Sequence, residues 1–160
     1  MDGVDARQLR MDEVQSKRAL AMMCDVVPIA ATRADVSVSR LFRVLPNMPQ
    51  GLRTAAHAIC LLRRFASKLG GQFCARMAPQ TWTVAMMVTV ILADKMTDDC
   101  ETDMTEWRRA LEVDEEHLSK SEMRVLEVIG WDAMVQANEL RVVAGQILAG
   151  PPSSQTGTKT

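Results

Sequence analysis

The stretch Val90-Ile91-Leu92-Ala93-Asp94-Lys95-Met96-Thr97-Asp98-Asp99 decides how the chain is read. An apolar run that begins near Trp82 stops there in one lysine and three aspartates. From Gln80 to about Met96 the residues are apolar almost all round, with Trp82, Val84, Met86, Met87, Val88, Val90, Ile91 and Leu92. Pro79 stands where proline favours a first helical turn. A helix without a polar face is predicted to be a central helix, surrounded by others. A buried strand is the rival reading, and the length of the run disfavours it. The charged end has two readings: a solvated loop after a core helix, or a docking surface.

Working outward, the chain has 160 residues, nearly half of them apolar, which suggests one domain with a real core. The net charge is −1 with both signs spread along the chain, which argues against a nucleic-acid or membrane binder. Twelve methionines and no tyrosine lean towards helix, and few aromatics leave no base-stacking platform. The cysteines Cys24, Cys60, Cys74 and Cys100 include no C-x-x-C pair, and read as free thiols in a reducing compartment rather than a zinc site. The acidic start Met1-Asp2-Gly3-Val4-Asp5 lacks the apolar region of a signal peptide. The apolar run Val84 to Ala93 is about half the ~20 residues of a membrane span. The expectation is a soluble intracellular protein of the cytoplasm and/or nucleus.

Helical periodicity predicts further elements. Leu9 to Val27 carries a stripe of Val14, Leu20, Ala21, Met23, Cys24 and Val27, stopped by Pro28. Val36 to Leu45 carries Val38, Leu41, Phe42 and Leu45 before the break at Pro46-Asn47-Met48-Pro49. Gln50 to Leu69 repeats Leu52, Ala55, Ala56, Ile59, Leu62 and Leu69 at intervals of three and four, then ends at Gly70-Gly71. A short helix is predicted from Asp103 through Trp107 to Leu111, with Asp103 and Glu106 in capping-box position. Asp114-Glu115-Glu116 reads as the next N-terminus, acidic where the helix dipole favours anions. That helix holds Leu118, Val125, Leu126 and Ile129 and ends near Gly130, and a last one runs from about Asn138 to Leu148. From Gly150 onward no apolar residue follows, which predicts a disordered tail.

No catalytic arrangement emerges: there is no phosphate-binding loop and no nucleophile elbow, so no enzyme is expected. His57 among alanines reads as a partly buried, hydrogen-bonded core histidine, and His117 as a surface residue. The acidic run Asp98-Asp99-Cys100-Glu101-Thr102-Asp103 lacks the alternation and turn glycine of a calcium loop. No metal and no cofactor are expected.

Two stretches resemble the cyclin family. Thr81-Trp82 through Ile91-Leu92-Ala93-Asp94-Lys95-Met96-Thr97-Asp98-Asp99 is similar to the third helix of a cyclin box, a buried helix ending in alanine, a small residue, lysine and an acidic pair. Leu118-Ser119-Lys120-Ser121-Glu122-Met123-Arg124-Val125-Leu126-Glu127-Val128-Ile129-Gly130-Trp131-Asp132 resembles the fifth helix, a glutamate and an apolar stripe closed by an aromatic and an acid. Trp107 falls where the short helix between them often carries an aromatic. Ala58-Ile59-Cys60-Leu61-Leu62-Arg63-Arg64-Phe65 is similar to the second helix. The Pro79-x-x-Trp82 start and the Asp98-Asp99 pair point to the cyclin Y and P/U-type groups. The likeness covers roughly residues 34–148.

There are departures. Asp94 stands where serine or threonine is usual, and the asparagine that commonly follows the acidic pair is absent. The first-helix motif that docks substrates in cell-cycle cyclins is missing from Val38 to Leu45, which argues against such docking. The length leaves no room for a second box.

The resemblance implies an all-α fold: a single cyclin-box-like domain of five core helices around a buried central helix. Its expected divisions are an N-terminal extension with a helix (1–33), the box (34–148) and a disordered tail (149–160). It implies that Lys95 and Glu122 lie together and hydrogen-bond main-chain groups of a cyclin-dependent protein kinase beside its mobile C-helix. An adaptor of this fold that binds a non-kinase protein, and an unrelated helical scaffold, stay open. Two structural roles also stay open. Lys95 can neutralise its helix C-terminus, and Glu122 can complete a capping box with Ser119, unless the helix starts nearer Asp114.

Overall fold

The computed structural model describes residues 10–26, 40–41, 43–48, 50–70, 79–96, 107, 109, 111 and 114–150. The described residues are helix, turn or irregular, with no strand among them. Five helices are described: α1 (Glu13–Val26), α2 (Gly51–Leu69), α3 (Pro79–Lys95), α4 (Glu115–Val128) and α5 (Ala137–Ala149). A 3-10 turn at Leu45–Asn47 precedes α2. The chain is all-α over these residues. The Asp98-Asp99 pair, the Asp103/Glu106 cap, Cys74, Cys100 and the tail beyond Gly150 lie outside them.

The start of α1 corrects the sequence reading. The backbone N–H of Asp12 donates to Gln15 Oε1 at 3.0 Å, and that of Gln15 donates to Asp12 Oδ1 at 2.8 Å. This reciprocal capping box satisfies two donors that a helix N-terminus leaves free. It starts the helix at Glu13 rather than near Leu9. The apolar stripe is also narrower than predicted: Val14 is 56% exposed and Ala21 is exposed. Ser16, Ala19, Leu20, Met23 and Cys24 make the buried face.

The α3 helix is buried from Trp82 to Asp94 except at the half-buried Val84. Trp82, Met86, Val90 and Ile91 have no exposed surface. Its polar members are accommodated locally: Thr89 Oγ1 donates to the Met86 carbonyl at 2.8 Å, the back-bonding a hydroxyl finds when water is excluded. Yet the helix that packs against each of the other four is α2. Thr54 to Leu62 is buried without interruption. Periodicity understated this helix, because Thr54, Ala55, Ala56, His57 and Ala58 are small or polar and carry little apolar signal. Small residues let neighbours approach from every side. Gly51 shows how close: a Cβ there would lie 2.7 Å from the Leu45 carbonyl oxygen. Phe65 of α2 meets Trp82 of α3 edge-on, with ring centroids 6.0 Å apart at 90°.

The later helices stop by recognisable chemistry. Asp114 caps α4 by accepting from the His117 N–H at 3.1 Å. At the other end Trp131 N donates to Leu126 O at 2.7 Å and Gly130 N to Glu127 O at 3.1 Å, the double bond of a Schellman motif. Gly130 supplies the left-handed residue this needs, at φ +68°. Ala149, which the sequence reading placed with the tail, is the last residue of α5. Arg18 of α1 donates to the carbonyls of Ile147 and Leu148 at 3.2 and 2.7 Å, closing that helix end.

Truncating this core should be costly. Met86→Ala or Ile91→Ala should each lower stability by about 2–5 kcal/mol, the range for large-to-alanine changes in a packed core. Chemical denaturation measures this, and a loss below ~1 kcal/mol would be inconsistent with the packing described.

Candidate functional site

The charged end of α3 is divided between core and surface. Asp94 and Lys95 are adjacent, so the helical turn sends them about 100° apart. The sequence reading grouped Asp94 with the charged surface, and the structure corrects this. Asp94 is 6% exposed, and its Oδ2 accepts from the indole Nε1–H of Trp107 at 3.3 Å. Trp107 is itself buried. The aspartate at this position therefore holds Trp107 to the end of the helix. Its signal in the sequence was the departure itself, a carboxylate closing a buried helix with a tryptophan 13 residues on.

Lys95 turns the other way, towards α4. Its Nζ donates to both oxygens of Glu122, at 2.9 Å to Oε1 and 3.0 Å to Oε2. The pair bridges 27 residues of sequence. The side chain of Lys95 is 39% exposed and that of Glu122 15%. Because α4 starts at Glu115 with Asp114 as its cap, Ser119 and Glu122 are both mid-helix. The capping role considered for Glu122 is thereby excluded. Two exposed methionines flank the pair in sequence, Met96 at 38% and Met123 at 48%. A half-exposed ion pair of this kind contributes about 0.2–1 kcal/mol to folding.

A second arrangement was not legible in the sequence. Three successive carbonyls after α4 are held by α2. Arg64 Nη1 donates to Asp132 O at 2.9 Å and to Met134 O at 2.6 Å, and His57 Nε2 donates to Ala133 O at 2.7 Å. Arg64 also pairs with Glu139 at 3.4 Å. This grip holds Trp131 at φ +64°, a left-handed conformation that costs a bulky residue about 1–2 kcal/mol. Trp131 and Met134 are left 60% and 67% exposed. Their sequence signals were too general, a histidine among alanines and one arginine of several.

Burial holds the His57 pKa below its usual 6.5, and the nearby Arg64 and Arg53 act in the same direction. Burial also pushes the Cys60 thiol up to about 11, reinforced by Glu139. Cys60 is thus an inert thiol rather than a nucleophile. Cys24 is likewise buried. Among the described residues no group of three or more His, Cys, Asp or Glu is placed to hold a metal, and no helix is long and apolar enough to cross a membrane.

No protein-family model, curated protein or solved structure matches the chain. The reading of the site therefore rests on its own geometry and on the motifs.

Two consequences are measurable. Trp107→Phe removes one donor to a buried carboxylate and shrinks a buried ring, so it should cost at least about 1–3 kcal/mol by denaturation. The neutral state of His57 gives a pH dependence. Unfolded, the ring takes up a proton more readily than when folded, so its contribution is complete above pH 6.5. It is lost as the pH falls below 6.5 towards the lower folded-state value. Melting curves from about pH 7 down to about pH 5 should show wild type losing more stability than His57→Gln.

Proposed function

We propose that this chain is a cyclin-like regulatory subunit that binds and activates a cyclin-dependent protein kinase by positioning the kinase's C-helix. One observation carries the reading: Lys95 and Glu122, the two residues singled out by the cyclin-box likeness, are paired across α3 and α4. The likeness implies that these two residues lie together, and their pairing supports the reading.

The chemistry of the pair suits the task. An ammonium has three donors and a carboxylate about four acceptor positions, so mutual bonding leaves both with capacity for main-chain groups of a partner. Each holds the other's rotamer, which lowers the entropy lost on docking. The neighbouring Met96 and Met123 offer flexible apolar contact for a helix. A subunit that prefers one position of a mobile kinase helix shifts its population towards that position. There the helix glutamate pairs with the strand lysine that contacts the ATP phosphates. In this reading the chain supplies no catalytic group.

The decisive comparison sets folding against binding. Lys95→Ala and Glu122→Ala should melt within about 1 kcal/mol of wild type. Both should lose affinity for a cognate kinase by about tenfold or more, since truncating one partner of a buried, charge-assisted contact commonly costs about 2–5 kcal/mol. Phosphorylation by that kinase should rise with added wild-type chain and not with either variant. Unchanged affinity in both variants would refute the site. Failure of the wild-type chain to bind any kinase of this class would refute the function.

A further inference from the structure

Beside the N-terminal part of α3, a groove of about 320 Å³ that neither Lys95 nor Glu122 lines runs between α3 and the 117–125 stretch of α4. Its floor is apolar, with Phe65 and Val125 buried and Val84 half-buried. Phe65 on that floor meets Trp82 edge-on. Its rim on α4 is basic. His117, Lys120 and Arg124 line it at intervals of three and four, so they share one helix face, and all three are exposed.

The sorting of charge is the telling feature. The whole chain has 20 acidic residues to 19 lysines and arginines, yet among the described residues no carboxylate lines this groove. Glu116 pairs with Lys120 at 3.1 Å. Both side chains of that pair are about three-quarters exposed, so a ligand can displace it at little cost. Arg124 presents a planar fork suited to a carboxylate.

We infer that this groove docks an acidic peptide segment of a partner protein. One apolar side chain of the segment enters between Phe65 and Val84, and flanking carboxylates meet Lys120 and Arg124. Nucleic acid fits the groove poorly: its basic row is short, its floor lacks an exposed stacking ring, and the chain as a whole is slightly acidic. The inference does not depend on kinase binding, because neither Lys95 nor Glu122 lines the groove.

The test is fluorescence anisotropy of the full chain with a labelled peptide in which two leucines are flanked by glutamates and aspartates. A control peptide carries lysines in place of the acids. Saturable binding of the acidic peptide is expected, weakening on going from about 50 to about 200 mM salt as screening grows. Lys120→Glu and Arg124→Glu, both on exposed positions, should each weaken it by about tenfold or more while melting near wild type. Val84→Asp should abolish it, and Lys95→Ala should leave it unchanged. Absence of saturable binding, equal binding of the lysine peptide, or indifference to Arg124→Glu would overturn the proposal. A loss on Lys95→Ala as large as that on Arg124→Glu would also overturn it, by placing the peptide on the other face.

Discussion

The burial of α2 on every side between Thr54 and Leu62 is the constraint from which the rest of the molecule follows. A helix can touch four others only if its own side chains are small or its neighbours interlock with it, and Thr54 to Leu62 provides both. Alanines bring backbones close, while Ile59, Leu61, Leu62 and Phe65 fill the space between the helices. The price is that polar groups on α2 need partners inside the protein. His57 and Arg64 find theirs in the carbonyls of 132–134, so the same helix that organises the core also fixes the segment after α4.

That connection links packing to the candidate interaction surfaces. α4 is anchored at its start by the Asp114 cap, along its length by Leu118 and Val125, and at its end by the Schellman turn and the grip of Arg64. With α4 so placed against α3, Glu122 meets Lys95, and the face carrying His117, Lys120 and Arg124 borders the groove. Both surfaces lie on the same pair of helices, one towards the end of α3 and the other towards its start.

The end of α3 shows how one turn of helix assigns opposite roles to neighbouring charges. Asp94 is buried and takes a hydrogen bond from Trp107, whereas Lys95 is half-exposed and reaches α4. Burying a carboxylate is unfavourable unless it is hydrogen-bonded, so Asp94 draws the Trp107 indole to this end of the helix. The interaction is structural, and it leaves the ammonium beside it free to turn outward.

Much of the architecture was legible in local sequence. The all-helical class, the buried run of α3, the acidic start of α4 and its end at Gly130 follow from periodicity, caps and breakers that act within a few residues. The pairing of Lys95 with Glu122 was foreseen only through the cyclin-box likeness, since nothing local connects two helices 27 residues apart. Other features needed the folded chain. Whether Val14 faces water, whether Asp94 is surface or core, and which helix touches all the others depend on where neighbouring elements lie. The carbonyl grip of His57 and Arg64 and the basic rim over an apolar floor each join residues from separate helices. Sequence determined the elements because helix chemistry is short-range; tertiary structure decided the surfaces because they exist only where helices meet.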